Sequence, residues 1–316
     1  MNRFRRALLT VSAALLAPLV CLGVTTMTLA EEPSVLSGHT DAAYGLAFSP
    51  DGKLLASGSY DNSVMLWPVD QTSPPTTLNA HTDQVFRVTF SPDGRQLASA
   101  SGDSSVIVWD VAKRTPVTVL KGHGDPIIDC EFSPDGTLLA SAGSHIQLWR
   151  EGELLWSTPH SELYFSIAWS PDQRRIACGT RNVIHLLDTK GRHVSAPLKD
   201  DCGVVYQVSF SPDGKRLLSA SSNGTLSLWD VAQGRKISSV KADRFSLFAA
   251  EFSPTGQRIV SGGRERVVRT WSVPDLEQLE ERYGPQETIL SVTLSPDGNA
   301  LAAGSYEGKV CLWQVD

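Results

Sequence analysis

The chain has 316 residues, 41% of them hydrophobic and 20% charged, and its formal net charge is −6. The first thirty residues hold three Arg and no acid, so the remainder is more acidic than this total. An acidic chain without a basic stripe argues against a nucleic-acid partner, because phosphate neutralisation dominates that kind of affinity. The five cysteines form no Cys-x-x-Cys pair. We therefore expect neither a metal site nor a cofactor.

The chain begins with the three-part layout of a secretory signal. Residues 2–6 are basic, residues 7–24 are apolar, and small side chains stand near Ala30. This layout predicts cleavage after Ala30 and a periplasmic or secreted mature chain of residues 31–316. The alternative is an uncleaved membrane anchor, because the apolar stretch is close to the minimum length that spans a bilayer. The protein is expected at a membrane only in that case.

A five-residue phrase recurs seven times after this segment, at intervals of 37 to 42 residues. A fixed period of this size marks a repeat architecture. An evenly repeated unit builds a surface more readily than it builds one catalytic pocket. The phrase reads Phe-Ser-Pro-Asp-Gly at 48–52, 90–94, 132–136 and 210–214, with variants at 169–173, 252–256 and 294–298.

Each repeat contains two turn signals separated by short apolar runs. The first turn is Ser-Pro-Asp-Gly, and the second in repeat one is Tyr60-Asp61-Asn62. The runs at 53–59 and 63–67 are rich in small, aliphatic and β-branched residues, and such runs between turn clusters indicate strands. No segment after residue 30 shows a capped helical period. Four antiparallel strands in each of seven units predict an all-β, seven-bladed β-propeller.

Particular residues in each repeat resemble the hallmarks of the WD-repeat β-propeller family. These hallmarks are a Gly-His pair, an Asp at a tight turn and a Trp that closes the third strand. The resemblance covers about residues 34–316 and is most complete in the first repeats. The matching residues are Gly38-His39, Asp61 and Trp67 in repeat one, His81, Asp103 and Trp109 in repeat two, and Gly122-His123 and Trp149 in repeat three.

The two ends of the repeat region indicate how the propeller closes. Repeat seven stops after its third strand, which ends near Trp313. The missing fourth strand is expected at the N-terminus, because residues 33–38 resemble residues 116–122. Pairing of these two ends would close the ring and leave no long open edge. A closed ring of this kind is compatible with a monomer.

The repeated Ser, His and Asp residues allow two interpretations. They could form hydrolase triads, but no Gly-x-Ser-x-Gly elbow accompanies them. The resemblance to WD-repeat proteins implies instead a structural hydrogen-bond chain that satisfies buried polar groups in each blade. We expect no catalytic residue in this set. Its members are His39, Ser57, Asp61, Trp67, His81, Ser99, Asp103, Trp109, His123, Ser141 and Trp149.

Large apolar side chains occupy the position five residues after each His position. By resemblance to WD-repeat domains, this position lies at the start of the innermost strand, on the face that usually holds partners. Aromatic and Arg side chains are enriched at interface hot spots. The residues are Tyr44, Phe86, Ile128, Phe165, Tyr206, Phe248 and Leu290, flanked by Tyr60, Arg181, Arg264 and Tyr306.

The sequence does not decide whether the side chains of this set are exposed or packed between blades. Tyr44, Leu46 and Phe48 alternate as one strand face, which would make the set packing between blades. A bulge at the start of the strand would expose it instead.

The sequence favours a non-enzymatic scaffold in the cell envelope or outside the cell, which binds a protein or peptide on one face. The alternative is a propeller enzyme, a hydrolase or lyase, with a site at the mouth of the central channel. Such a site needs converging polar groups from the inner strands. Asp129, Gln207 and Arg87 are the candidates for it.

Overall fold

The computed structural model describes residues 32–160 and 162–315, so the predicted signal segment lies outside the described residues. The described ranges contain 27 β-strands and no α-helix. The all-β prediction is therefore confirmed. Within the same ranges, no helix has the length and apolar character needed to cross a membrane.

The strands are short and follow the repeat. Repeats one to three contain β1 (Ser34–Leu36), β2 (Ala43–Phe48), β3 (Leu54–Ser59), β4 (Ser63–Pro68), β5 (Thr76–Asn79), β6 (Val85–Phe90), β7 (Gln96–Ser101), β8 (Ser105–Asp110), β9 (Thr115–Lys121), β10 (Asp129–Phe132), β11 (Leu139–Ala142), β12 (Ile146–Arg150) and β13 (Glu153–Ser157). Repeats four to seven contain β14 (Ser166–Trp169), β15 (Arg175–Gly179), β16 (Arg181–Asp188), β17 (Leu198–Phe210), β18 (Arg216–Ser221), β19 (Thr225–Asp230), β20 (Arg235–Lys241), β21 (Leu247–Phe252), β22 (Arg258–Gly263), β23 (Val267–Ser272), β24 (Gln278–Tyr283), β25 (Ile289–Leu294), β26 (Ala300–Ser305) and β27 (Val310–Gln314).

Most strands pair in sequence order into four-stranded antiparallel sheets, such as β2-β3-β4-β5 and β6-β7-β8-β9. The strand β17 is longer than the rest and belongs to two repeats. Its first part pairs with β16 and its second part with β18, which joins seven strands into one sheet. The strand β1 pairs with β27, with Ser34 opposite Leu312. The N-terminal strand therefore completes the sheet of the last repeat.

The repeated phrase forms the turn between the first two strands of a repeat. In repeat one, the Ser49 hydroxyl donates to Asp51 Oδ1 at 2.7 Å, and the Leu54 N–H donates to Ser49 Oγ at 2.9 Å. Gly52 has φ = 70°, a conformation that favours glycine. The turn leaves some backbone N–H groups without backbone partners, and the side chains of the phrase accept their hydrogen bonds instead.

The hydrophobic core lies between successive sheets. In one cluster, Leu66 of β4 packs with Val88 and Phe90 of β6. In another, Leu46 of β2 packs with Leu312 of β27. Burial of each Leu, Val or Phe contributes about 1.5–3 kcal/mol. Each sheet therefore depends on its neighbours for stability.

The first two repeats contain complete hydrogen-bond chains. Trp67 Nε1 donates to Ser57 Oγ at 2.7 Å, and His39 Nε2 lies 2.6 Å from the same oxygen. The other ring nitrogen of His39 lies 3.0 Å from Asp61 Oδ2. Ser57 is fully buried, so its hydroxyl is not an accessible nucleophile.

Repeat two has the same arrangement. Ser99 Oγ accepts from Trp109 Nε1 at 2.9 Å and lies 2.7 Å from His81 Nε2. Asp103 Oδ2 lies 2.8 Å from the second ring nitrogen of His81. Burial lowers the pKa of His81 despite this carboxylate, which favours a neutral ring.

The chain of hydrogen bonds becomes shorter in later repeats. In repeat three, Trp149 Nε1 and His123 Nε2 still meet Ser141 Oγ, at 2.9 and 2.7 Å. The other ring nitrogen of His123 has no hydrogen-bond partner among the described residues. In repeat seven, Ala303 pairs with Cys311 in the strand register and replaces the serine. Trp313 Nε1 is consequently buried without a partner among the described residues.

We predict that Trp109→Phe destabilises the protein more than Trp313→Phe does. Both tryptophans are almost fully buried, but only Trp109 donates a hydrogen bond. Its loss leaves Ser99 short of a donor, which costs about 1–2 kcal/mol. Denaturant midpoints of the two variants check the order. Equal midpoints would show that the hydrogen-bond chain adds nothing beyond packing.

Candidate functional site

All seven residues of the predicted apolar set line one cavity of about 260 Å³. Six come from the start of an inner strand or from the residue just before it, and Tyr206 lies within β17, where its pairing with β18 begins. Six are half-buried, and Leu290 is 8% exposed. We call this cavity and its seven apolar residues the mouth: Tyr44, Phe86, Ile128, Phe165, Tyr206, Phe248 and Leu290.

A β-bulge explains why these side chains turn away from the regular strand face. In repeat one, Ala43 pairs with Ser59 and Gly45 pairs with Gly58, so Tyr44 is the extra residue. The same register shift occurs at Phe86, Tyr206, Phe248 and Leu290. A bulge reorients the side chain of the residue that it inserts. The five bulged residues therefore leave the regular alternation of the strand and line the cavity together with Ile128 and Phe165.

The rings of the mouth contact one another across repeats. Tyr206 lies 4.9 Å from Phe248 and 6.2 Å from Phe165, measured between ring centroids. Tyr44 lies edge-on to Phe86 at 5.7 Å. These spacings are within the range of favourable aromatic pairs. Such contacts help to hold the rings in place around the cavity.

Polar groups from the next position of the inner strands lie below the rings. Arg87, Asp129 and Gln207 also line the mouth cavity. Arg87 Nε lies 3.2 Å from Asp129 Oδ1, and Asp129 Oδ2 accepts from the Ile167 N–H at 2.8 Å. The structure thus brings the three candidates for a catalytic site together at one cavity.

A second cavity of about 230 Å³ lies on the other side of Arg87 and Gln207, which line both spaces. Its lining includes Glu131 and Glu251, which the sequence analysis did not single out. Each stands directly before the Phe of a repeated phrase, at a position where other repeats carry Ala, Thr or Ser. An acid at that repeat position was the available signal.

The two acids are half-buried, accept hydrogen bonds and have shifted pKa values. Glu131 Oε2 accepts from the Trp169 N–H at 2.8 Å. Burial and the nearby Asp129 raise the pKa of Glu131 to about 8. Burial raises the pKa of Glu251 to about 7, although the Thr293 side chain lowers it. Within the described residues, no group of three or more His, Cys, Asp or Glu side chains could hold a metal ion.

The flanking residues lie outside the lining of the mouth. Tyr60 stacks on Tyr44 with ring centroids 5.4 Å apart and so supports the rim. Arg264 lies over the ring of Phe245 at 5.6 Å, with both side chains exposed. Arg181 and Tyr306 are exposed as well. None of these four flanking residues lines the cavity of the mouth.

The fold and the mouth define a repeat protein whose small antiparallel sheets surround an aromatic-lined cavity. The family model described as IFT122 first beta-propeller matches residues 70–314, and the WD domain, G-beta repeat model matches residues 31–68. The chain belongs to the WD-repeat β-propeller family. The predicted resemblance is thereby confirmed.

Individual relatives match only short segments. Protein Mut11 of Chlamydomonas reinhardtii is 66% identical over 32 residues, which are 10% of this chain and 9% of the relative. Striatin-4 of Homo sapiens is 51% identical over 47 residues, 14% of this chain and 6% of the relative. The U3 snoRNP-associated protein-like EMB2271 of Arabidopsis thaliana is 32% identical over 85 residues, which are 27% of this chain and 18% of the relative. The chain thus spans less than a fifth of the length of each relative.

We predict that Glu131→Gln raises the melting temperature more at pH 8.5 than at pH 5. The folded pKa of Glu131 lies above that of an exposed carboxyl, so its stabilising contribution is present at low pH and is lost as the pH rises through about 8. Gln stays neutral and retains an oxygen for the Trp169 N–H. Thermal melts of both proteins at both pH values check this. An identical shift at the two pH values would contradict a raised pKa.

Proposed function

We propose that this protein is a non-enzymatic scaffold of the cell envelope or the extracellular space. In this proposal it is a seven-bladed propeller, closed by its N-terminal strand, that holds a protein or peptide at the mouth. The single observation that carries the proposal is the convergence of five aromatic side chains on one cavity.

Three observations support a closed ring of seven blades. The inner strands contact one another in sequence from β2 to β25, and β25 in turn contacts β2. The strand β1 pairs with β27. The seven mouth residues, one from each repeat, line a single cavity. A closed ring explains all three, because it brings each inner strand to the same axis.

The shape and chemistry of the mouth fit a bound side chain. A cavity of about 260 Å³ is smaller than a typical small-molecule pocket of roughly 300–1,000 Å³. Aromatic anchors at the centre of an interface carry much of its binding energy. Half-buried rings that line a small opening are suited to one inserted side chain of a larger partner.

Affinity capture of the partner tests whether the mouth is the binding site. The variant Phe86→Ser/Phe165→Ser/Phe248→Ser should lose the partner from an envelope fraction of the source cell, with retention at least about tenfold lower than the unmutated protein. The control variant is Leu155→Ser/Leu279→Ser/Tyr283→Ser, which removes three exposed side chains from outer strands. Both variants should first show thermal melts close to that of the unmutated protein.

Equal capture by the mouth variant and the control would contradict a binding site at the mouth. Loss of folding in the mouth variant alone would show that the rings act as core. In that case, single Phe→Leu changes at the same three positions would test binding with less disturbance of packing.

The second candidate is an enzyme in the channel, which the Arg87–Asp129 pair and the raised pKa of Glu131 favour. A carboxyl with a pKa near 8 is protonated at neutral pH and could act as a general acid. However, Glu131 Oε2 accepts a backbone hydrogen bond and Asp129 is almost fully buried. Turnover of any glycoside or ester that Glu131→Gln abolishes would establish this function in place of the scaffold.

The exported location rests on the layout of residues 1–30. N-terminal sequencing of the protein recovered from the envelope or the medium tests it. A chain that begins at Glu31 supports export with cleavage. Recovery of the intact N-terminus from the membrane fraction would support the anchor, and recovery from the cytoplasm would exclude export.

A further inference from the structure

Acidic side chains occupy one repeated position beside the mouth. The residue three positions before the mouth residue is Asp or Glu in repeats one to four and in repeat seven. All five acids are exposed. Three residues of extended chain span roughly 10 Å, so each carboxylate stands close to the rim. We call this set the acidic arc: Glu287, Asp41, Asp83, Asp125 and Glu162.

The members of the arc belong to neighbouring inner strands. Each precedes one of β25, β2, β6, β10 and β14, and these strands contact one another in that order. The arc therefore follows one continuous side of the mouth. Exposed like charges on a single side add their potentials and attract a partner of opposite charge.

Among the described residues no lysine or arginine forms an ion pair with the arc, although two of its acids lie beside histidines, Asp125 beside His160 at 4.0 Å and Glu162 beside His185 at 2.9 Å. Asp41 and Asp83 each accept the N–H of the next residue. Among the described residues, the lysines and arginines that form ion pairs do so with other acids, such as Asp188, Glu265 and Glu281. Asp125 also accepts from the Ser144 hydroxyl.

The opposite side of the mouth differs in charge. In repeats five and six, Gly203 and Phe245 stand at the position of the acids. The exposed Arg264 lies over Phe245, and Arg244 pairs with Glu265 at 2.9 Å. The rim therefore has an acidic side and a side with exposed arginines. This polarity favours one sign of charge over each part of the mouth.

A buried carboxylate also lines the cavity of the mouth. The Asp129 side chain is 6% exposed and lines the cavity. Its Oδ1 lies near Arg87 Nε but accepts no hydrogen bond of good geometry from the described residues. A buried polar atom without a hydrogen bond is costly. The Arg87 guanidinium 3.2 Å away offsets part of this cost, so Asp129 is an ion-paired group at the mouth.

We propose that the segment bound at the mouth is a lysine- or arginine-rich peptide, which crosses the acidic arc and inserts one large side chain between the aromatic rings. The inference rests on the proposed function and specifies the chemistry of the partner. The arc attracts the basic residues, and the rings hold the apolar part of the inserted side chain. The repeats without an acid at this position attract basic residues less, so the basic residues of the peptide lie over the arc.

The test is selection of a random dodecapeptide library, displayed on phage, against the full chain. The selected pool should be enriched in Lys and Arg around one large residue. A synthetic peptide from that pool should bind Asp41→Asn/Asp83→Asn/Glu287→Gln on the order of tenfold more weakly, mainly through slower association. The asparagine oxygens can still accept the N–H groups of the following residues. Binding should weaken as salt rises, because a Debye length of about 8 Å at physiological ionic strength screens the arc.

The matched control is Glu153→Gln/Asp275→Asn/Glu277→Gln. It changes the net charge by the same amount at exposed acids next to outer strands. Its affinity for the peptide should equal that of the unmutated protein. Equal weakening in both variants would show an effect of net charge and overturn a specific arc.

The remaining outcomes separate this inference from the proposed function. Enrichment of neutral or acidic peptides that require Phe86, Phe165 and Phe248 would overturn the cationic partner and leave the scaffold intact. Failure to enrich any peptide that requires these three residues would overturn both. Basic peptides that bind the arc variant and the mouth variant as tightly as the unmutated protein would also overturn the inference.

Discussion

The structure depends on one constraint: a sheet of four short strands cannot bury both of its faces by itself. Leu46, Phe48 and their counterparts in each repeat are covered only when the next sheet packs on them. The repeats must therefore associate side by side, and the constraint applies equally to every unit. The sheet of the last repeat becomes four-stranded only through the pairing of β27 with β1 from the start of the repeat region.

The same packing positions the candidate site. When the sheets pack face to face, their inner strands converge, and corresponding residues of each repeat meet around one space. The mouth residues form the first such layer, Arg87, Asp129 and Gln207 stand in the next, and Glu131 and Glu251 lie beyond them. A position that carries a large apolar residue in every repeat thus becomes a set of side chains around one cavity. This explains how a chain without a recognisable catalytic motif still presents a distinct site.

The decline of the hydrogen-bond chains along the repeats shows how much variation this architecture tolerates. Repeats one and two join Trp, Ser, His and Asp, while repeat seven retains the buried Trp313 without a partner among the described residues. Packing maintains the later sheets, since Trp313 still lies in a core cluster with Leu301 and Ile289. The polar chain therefore adds stability to a fold that the apolar contacts already specify.

The sequence by itself determined the all-β class, the seven repeats, the WD-repeat family and the identity of the mouth residues. The sequence is sufficient for these features because the turn residues are local signals and recur in every repeat at a nearly fixed spacing. Only the tertiary structure decided that the mouth residues line a cavity, because the bulge at Tyr44 and its equivalents breaks the alternation that the strand pattern implies. The two acids of the second cavity were likewise not singled out by the sequence pattern. Glu131 and Glu251 are 120 residues apart along the chain, and only the convergence of inner strands places them beside Arg87 in one cavity.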